Sequence, residues 1–214
     1  MNISPQQIRN AKLGPKVAQA LKDRGFDAWY CSTREEGTAK ILSLIAKTDT
    51  VSWGGSITIT DLGIQERLAA EGIRVIDRDA APTKEERHER MRQALLCDTF
   101  LTSSNAVSED GQLVNIDGFG NRVAAMLFGP KQVIAAVGMN KVVKTAEDAL
   151  IRARTIAGPL NMQRFQNLKT PCAETGACGN CKNPDSICSY IVTTRRCKPA
   201  GRIKVILIGE DLGL

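Results

Sequence analysis

Capped helical segments and short apolar runs alternate along almost the whole of this 214-residue chain, and that alternation limits the class of fold. Ser4-Pro5-Gln6-Gln7 supplies an N-cap, a proline at the first helical position and Gln three residues on, which predicts a helix running toward Gly25. Phe26–Cys31 reads as a strand, and a capping box at Thr33-Arg34-Glu35-Glu36 opens a helix through Ala46. Thr50–Trp53 is a strand, Ile57–Glu71 is helical, and Arg74–Asp77 is again a strand. Thr83 and Glu86 form a third capping box, on a helix carrying Met91, Leu95 and Leu96 on its apolar side; the strand Thr99–Ser103 follows. Val107–Ile116 holds two β-prone pieces around Glu109-Asp110-Gly111, a hairpin signal because Asp-Gly suits a tight turn. Asn121–Phe128 reads as a short helix and Gln132–Val137 as a strand buried on both faces. Thr145–Gln166 is the longest predicted helix, and Lys204–Ile208 is the last strand. The expected architecture is α/β: an open, mainly parallel sheet with helices on both faces, one domain over residues 1–214 with a Cys-rich loop insertion at 170–199.

One histidine, His88, excludes any site that needs two within the chain, including HExxH zinc hydrolases and Cys2His2 fingers. Its setting, Thr83-Lys-Glu-Glu-Arg-His-Glu-Arg, reads as the solvated face of a helix. No apolar run approaches the roughly 18 residues of a membrane span, and Met1–Asn10 is polar from the start and lacks the apolar core of a secretory signal, so a cytoplasmic location is expected. The net charge of +6 is confined to one stretch: from Arg164 to Lys204 eight basic residues are opposed only by Glu174 and Asp185.

Five of the seven cysteines fall in that basic stretch, spaced Cys172-x5-Cys178-x2-Cys181-x6-Cys188-x8-Cys197. Clustered thiols in a reducing compartment suggest metal or redox chemistry over disulfides. The spacing lacks the paired CxxC knuckles of a closed zinc site and lies one residue from the plant-type C-x4-C-x2-C run of iron–sulfur proteins. An iron–sulfur cluster, zinc and metal-free thiols all stay open on spacing. Cys31 and Cys97 read as buried structural thiols.

In open α/β sheets ligands bind beyond the carboxyl ends of the strands. The loops placed there are rich in glycine and small polar residues: Gly54-Gly55-Ser56-Ile57-Thr58, then Ser103-Ser104-Asn105, Asp117-Gly118-Phe119-Gly120-Asn121-Arg122 and Asn140-Lys141. Glycines admit a close ligand, Arg122 and Lys141 suit a carboxylate or phosphate, and Asn105, Asn121 and Asn140 offer neutral hydrogen bonds. The candidate substrate-binding residues are thus Gly54, Gly55, Ser56, Thr58, Asn105, Asp117, Asn121, Arg122, Asn140 and Lys141, with a small anionic substrate. No pair of carboxylates is spaced for acid–base chemistry, so catalytic residues stay unassigned.

Ser52-Trp-Gly-Gly-Ser-Ile-Thr, Leu101-Thr-Ser-Ser-Asn-Ala-Val, Val114-Asn-Ile-Asp-Gly-Phe-Gly-Asn-Arg-Val-Ala-Ala and Pro171-Cys-Ala-Glu-Thr-Gly-Ala-Cys resemble the lactate-utilisation (LUD) domain family, LutC-like, in a subgroup with a cysteine-containing segment before its last strand. The resemblance covers nearly the whole chain and maps Cys172, Cys178, Cys181 and Cys188, but not Cys197, onto that segment. It implies a fold of the NagB/RpiA/CoA-transferase-like group, with Gly54–Ser56 as counterpart of a phosphate-binding turn. It further implies an oxidoreductase component of an iron–sulfur system that oxidises L-lactate to pyruvate. The chain carries no ferredoxin-type motif and no flavin fingerprint, so electrons from lactate call for iron–sulfur or flavin partner subunits. Two other classes remain: a phosphosugar or acyl-CoA enzyme with a structural zinc, and a nucleic-acid-binding module. Against the last, only Phe165 and Tyr190 supply aromatics within the basic segment, too little for a base-stacking platform.

Overall fold

The computed structural model describes residues 4–214. The first helix, α1 (Pro5–Asp23), begins where the capping box places it: Ser4 Oγ accepts from Gln7 N–H, and Gln7 Oε1 accepts from Ser4 N–H. It ends before Gly25, whose φ of +81° reverses the chain into β1 (Asp27–Cys31). Then come α2 (Arg34–Ser43), β2 (Thr50–Trp53), α3 (Ile57–Asp61), α4 (Ile64–Ala70), β3 (Arg74–Ile76) and α5 (Lys84–Gln93). Next are β4 (Thr99–Thr102), β5 (Ala106–Ser108), β6 (Leu113–Asp117), α6 (Asn121–Leu127), β7 (Gln132–Gly138) and β8 (Val142–Val143). The chain closes with α7 (Ala146–Arg152), α8 (Gly158–Met162), α9 (Pro171–Thr175), β9 (Tyr190–Thr194) and β10 (Ile203–Ile208). Among the described residues no helix is long and apolar enough to cross a membrane.

Six strands form one parallel sheet in the order β1-β10-β7-β4-β2-β3. Its middle strands are buried on both faces, which explains the unbroken apolar runs Val133–Val137 and Val205–Ile208. Val17 and Leu21 of α1, Met126 of α6 and Ala94 after α5 pack with Phe100 and Val205 on one face. Ile41 of α2, Ile59 of α3 and Leu68 of α4 pack with Trp53, Leu101 and Ile206 on the other. A fully buried side chain of this kind contributes about 1.5–3 kcal/mol, so these two layers dominate the favourable side of folding. Beyond β2 the chain turns to α3 on one face, whereas beyond β4 it leads, through a hairpin, to α6 on the other. The loops diverge there, which opens a crevice at the strand ends.

The expected single sheet has a companion. Strands β8-β5-β6-β9 form a second, four-stranded sheet, with β5 and β6 as the antiparallel hairpin around Asp110-Gly111. Of the predicted helices one is divided and one is distorted. Ile57–Glu71 breaks at Gly63, in the left-handed region at φ +60°. Thr145–Gln166 starts with the capping box of Thr145 and Asp148 but widens into a π-type turn over Ala153–Ala157. Pro159 then has no N–H to give to the preceding turn, and α8 is a single short piece. The longest helix is therefore α1, not the segment at 145–166. The Cys-rich piece is less irregular than expected: it contains α9, and β9 adds to the second sheet by pairing with β6.

Candidate functional site at the strand ends

Four loops do meet at the carboxyl edge of the parallel sheet, in two connected groups. The first surrounds Arg122, at the start of α6. Its Nη1 donates to Ser103 O (3.2 Å) and Asn115 Oδ1 (2.7 Å), and its Nη2 to Asn105 Oδ1 (3.1 Å) and Ile116 O (2.5 Å). Asp117 stands 3.7 Å from its Nε, and that carboxylate also accepts from Gly120 and Val123 N–H. Burial pulls the guanidinium's proton affinity down while Asp117 opposes the shift. Every nitrogen of the Arg122 guanidinium thus faces a protein oxygen. Arg122 is a strut across the crevice, and its stem lies so close to Gly54 that a Cβ there would fall 2.9 Å from Arg122 Cδ.

Asn105 is occupied in the same framework. Its Oδ1 accepts from Arg122 and from Ile116 N–H, and its carbonyl from Arg152 Nη1. Asn121 opens α6, and its side chain makes no hydrogen bond among the described residues. Ser56 caps α3 by accepting from Ile59 N–H.

The second group surrounds Lys141, which follows β7. Its Nζ donates to Thr58 Oγ1 (2.9 Å) and Ser103 Oγ (3.1 Å), and the residue is 3% exposed. Burial, reinforced by the nearby positive charges of Arg152 and Arg122, pushes the amine down to about 7. Ser103 ties the two groups together, because its carbonyl accepts from Arg122 and its hydroxyl from Lys141. The segment after β10 covers this end of the crevice. Leu212 N–H donates to Asn140 Oδ1, and a Cβ on Gly213 would lie 2.4 Å from Thr58 Oγ1 and 3.1 Å from Lys141 Nζ. Arg152 holds the same region by donating to Asn140 O and Asn105 O.

Sequence reasoning passed over Arg78 and Arg152, and it placed Ser103 in a strand-end loop without making it a candidate. Arg78 lies two residues beyond β3, and its Nη2 would sit 2.5 Å from a Cβ on Gly55. Its only signal in the sequence was position, at the carboxyl end of a parallel strand.

The cysteine segment packs directly against this edge. Cys172, Cys178, Cys181 and Cys188 all line one cavity of about 70 Å³, together with Gly158 and Met162 of α8, Ile116 of β6 and Ile191 of β9. The cavity abuts the π-type turn, and a Cβ on Gly158 would come within 3.5 Å of Cys188 Sγ. Burial pushes the Cys188 thiol up to about 11, reinforced by the other three cysteines. The loop is held by polar contacts: Arg154 Nη2 donates to Asn180 Oδ1 (2.6 Å), and Lys169 N–H to Asp185 Oδ2 (3.0 Å). Asn180, at φ +48°, makes the turn between Cys178 and Cys181. The sulfurs stand around the cavity without converging. Among the described residues, no three His, Cys, Asp or Glu side chains are gathered closely enough to hold a single metal ion. Cys197 lies apart, in the core under β10, where its thiol donates to Pro199 O and its sulfur accepts from Ile203 N–H. Cys31 and Cys97 are buried as expected.

One residue joins the two candidate sites. The side chain of Ile116 lines the cysteine cavity, and its carbonyl accepts from Arg122. On the neighbouring turn, Gly118 lies against the backbone of Ile187, where a Cβ would be 3.3 Å from Ile187 Cα.

With that geometry in hand, the LUD domain family profile matches residues 15–208. The chain belongs to the LUD domain family. That family is associated with lactate utilisation, and the match takes in the strand-end loops and the whole cysteine segment of this LUD domain. The crystal structure of a DUF162 family protein from Deinococcus radiodurans superposes with a TM-score of 0.54 at 13% sequence identity, covering 97% of this chain and 99% of that one. At that identity the likeness speaks for the fold of the LUD domain alone. Comparison with curated proteins gives no match.

Proposed function

We propose that this chain is a redox-associated LUD protein, a component of an iron–sulfur system that oxidises L-lactate to pyruvate. In this reading it binds a small carboxylate at the strand-end loops beside a cluster held by Cys172, Cys178, Cys181 and Cys188. The observation that carries the reading is that these four cysteines line one cavity whose wall, Ile116, is bonded through its carbonyl to Arg122. The donor set of four thiols around one space fits an iron–sulfur group. A cavity of about 70 Å³ with the sulfurs at its rim leaves room for an inorganic core.

A bound cluster would accept and pass electrons singly. The chain's own residues supply the rest. Arg154 at the cavity rim offsets the negative charge of the thiolates, as its lowering effect on the Cys188 thiol indicates. Ile116 and Met162, both buried, keep water from the sulfurs on the inner side. The cationic edge formed by Arg78, Arg122, Lys141 and Arg152 favours an anionic substrate, with Lys141 able to lose or hold a proton near neutral pH. Conversion of L-lactate to pyruvate releases two electrons and two protons, and the electrons pass to iron–sulfur or flavin partner subunits.

The test is anaerobic purification followed by measurement of iron, acid-labile sulfide and zinc, with visible spectra before and after dithionite. Iron and sulfide with a bleachable chromophore, lost in Cys178→Ser and Cys188→Ser but kept in Cys197→Ser, is the expected result. Stoichiometric zinc in a colourless protein refutes the cluster and favours a structural clip.

A further inference from the structure

Only three buried side-chain polar atoms among the described residues lack a hydrogen-bond partner: Arg78 Nε, Asn115 Nδ2 and Thr194 Oγ1. The first two are donors, and both belong to residues around the Gly54–Gly55 turn and its strut Arg122. Asn115 is fully buried and uses its Oδ1 to accept from Arg122, so its amide hydrogens are left over. Arg78 is more unusual. Its side chain is only 11% exposed, yet its nearest carboxylate oxygen, Asp79 Oδ1, stands 3.5 Å from Nε. Both Asp79 oxygens are already engaged, one by Arg87 Nη2 at 3.0 Å and the other by Trp53 Nε1 at 3.3 Å. Burial lowers the proton affinity of Arg78, with Arg87 adding to the shift and Asp79 and Asp117 opposing it. A nearly buried guanidinium held by one long, shared ion pair is costly, and such a group calls for a water, an ion or a ligand to complete it.

The contrast with Arg122 decides which guanidinium is free. Arg122 spends its donors on four protein oxygens. Arg78 keeps its planar fork unspent, with Nη2 against the backbone of Gly55, where any side chain would occupy the approach. An orphaned amide and an orphaned guanidinium together lack acceptors, and a carboxylate supplies two acceptor oxygens in the plane a guanidinium presents.

We propose that Arg78, with the Gly54–Gly55 turn and the amide of Asn115, forms the carboxylate-binding pocket of this chain and takes the acid group of a small 2-hydroxy or 2-oxo acid. Arg122 holds that pocket open and does not bind the ligand. This rests on the carboxylate-binding part of the proposed function, and it is independent of whether the cysteines hold a cluster.

The experiment is calorimetric titration of the purified full chain with L-lactate, pyruvate and inorganic phosphate, in wild type, Arg78→Gln and Arg78→Lys, with a thermal melt of each protein alone. Wild type is expected to bind L-lactate or pyruvate. Loss of a charge-assisted, two-pronged contact weakens that binding roughly ten- to a hundredfold in Arg78→Gln, and less in Arg78→Lys, which keeps the charge but not the fork. The ligand-free melting temperature of Arg78→Gln should equal or exceed that of wild type, because a buried charge held only by a long ion pair to an already engaged carboxylate has been removed. A residue with a merely structural role lowers it instead. Unchanged carboxylate affinity in both variants overturns the assignment of Arg78 while leaving carboxylate binding by the chain intact. Binding of phosphate but neither acid, or of none of the three, overturns the pocket and the carboxylate reading together; the metal and sulfide analysis then judges the cluster separately.

Discussion

Replacing Lys141 by Met offers the sharpest physical test of the strand-end site. The amine is buried between two hydroxyls, and among the charges that act on it only Asp61 favours its protonated form. A fall from 10.5 to about 7 corresponds to roughly 5 kcal/mol between an amine charged in the folded state and one left neutral, at about 1.4 kcal/mol per pH unit. The sign follows from linkage. Because the folded protein binds this proton more weakly than the unfolded chain, the unfolded state holds more protons between about pH 7 and 10.5, and raising the pH favours the folded state. Below about pH 7 both states carry the charge and the full penalty applies. Between about pH 6 and pH 9 the wild type should therefore gain about 2–3 kcal/mol of stability relative to Lys141→Met. The assay is urea unfolding of both proteins across that range under reducing conditions. Other titrating groups, the cysteines included, change alike in both proteins and cancel in the difference. The lost contacts to Thr58 and Ser103 shift the difference by a constant. A difference that stays flat within about 0.5 kcal/mol from pH 6 to pH 9 refutes the depressed amine.

Two further outcomes follow from the packing. Arg122→Leu removes donors from four protein oxygens and leaves Asp117 buried without its cation, so urea unfolding should show a loss of about 3–5 kcal/mol; a loss under about 1 kcal/mol contradicts its role as a strut. Gly111→Ala places a methyl group at φ +88° and 2.6 Å from the carbonyl of Ala20 in α1, where the hairpin turn rests on the helix. A loss of at least about 2 kcal/mol is expected in the same assay, and a change within about 0.5 kcal/mol contradicts that close packing.

What the sequence determined by itself is what local physics can carry. N-caps at Ser4, Thr33 and Thr83 satisfy a backbone donor three residues on, Ser4 as a complete capping box, and each helix begins where its cap lies. Continuous apolar runs at Gln132–Val137 and Lys204–Ile208 mark strands covered on both faces, and those strands form the middle of the sheet. The cysteine spacing likewise marked a cluster, and the family resemblance picked out within it the four residues that line one cavity and left Cys197 aside. Where a helix changes its turn without a local signal, the reading missed the change. The segment at 145–166 has helical periodicity throughout, yet the turn at Ala153–Ala157 widens beside the cysteine cavity, and only the packing of Gly158 against Cys188 distinguishes that place.

The tertiary structure alone decided which polar groups are spent and which are free. Arg122 looked like the ligand's guanidinium because it follows a glycine-rich loop, but its partners Ser103, Asn105 and Asn115 lie on other segments, 7 to 19 residues away. Thr58 and Lys141 are separated by 83 residues and meet only when β2 and β7 enter the same sheet. Arg78 is one arginine among the 29 basic residues, with no local pattern to mark it. A guanidinium becomes a binding group when the fold buries it and leaves its donors without acceptors. That balance is set by residues brought together from the whole chain, so no window of sequence contains it.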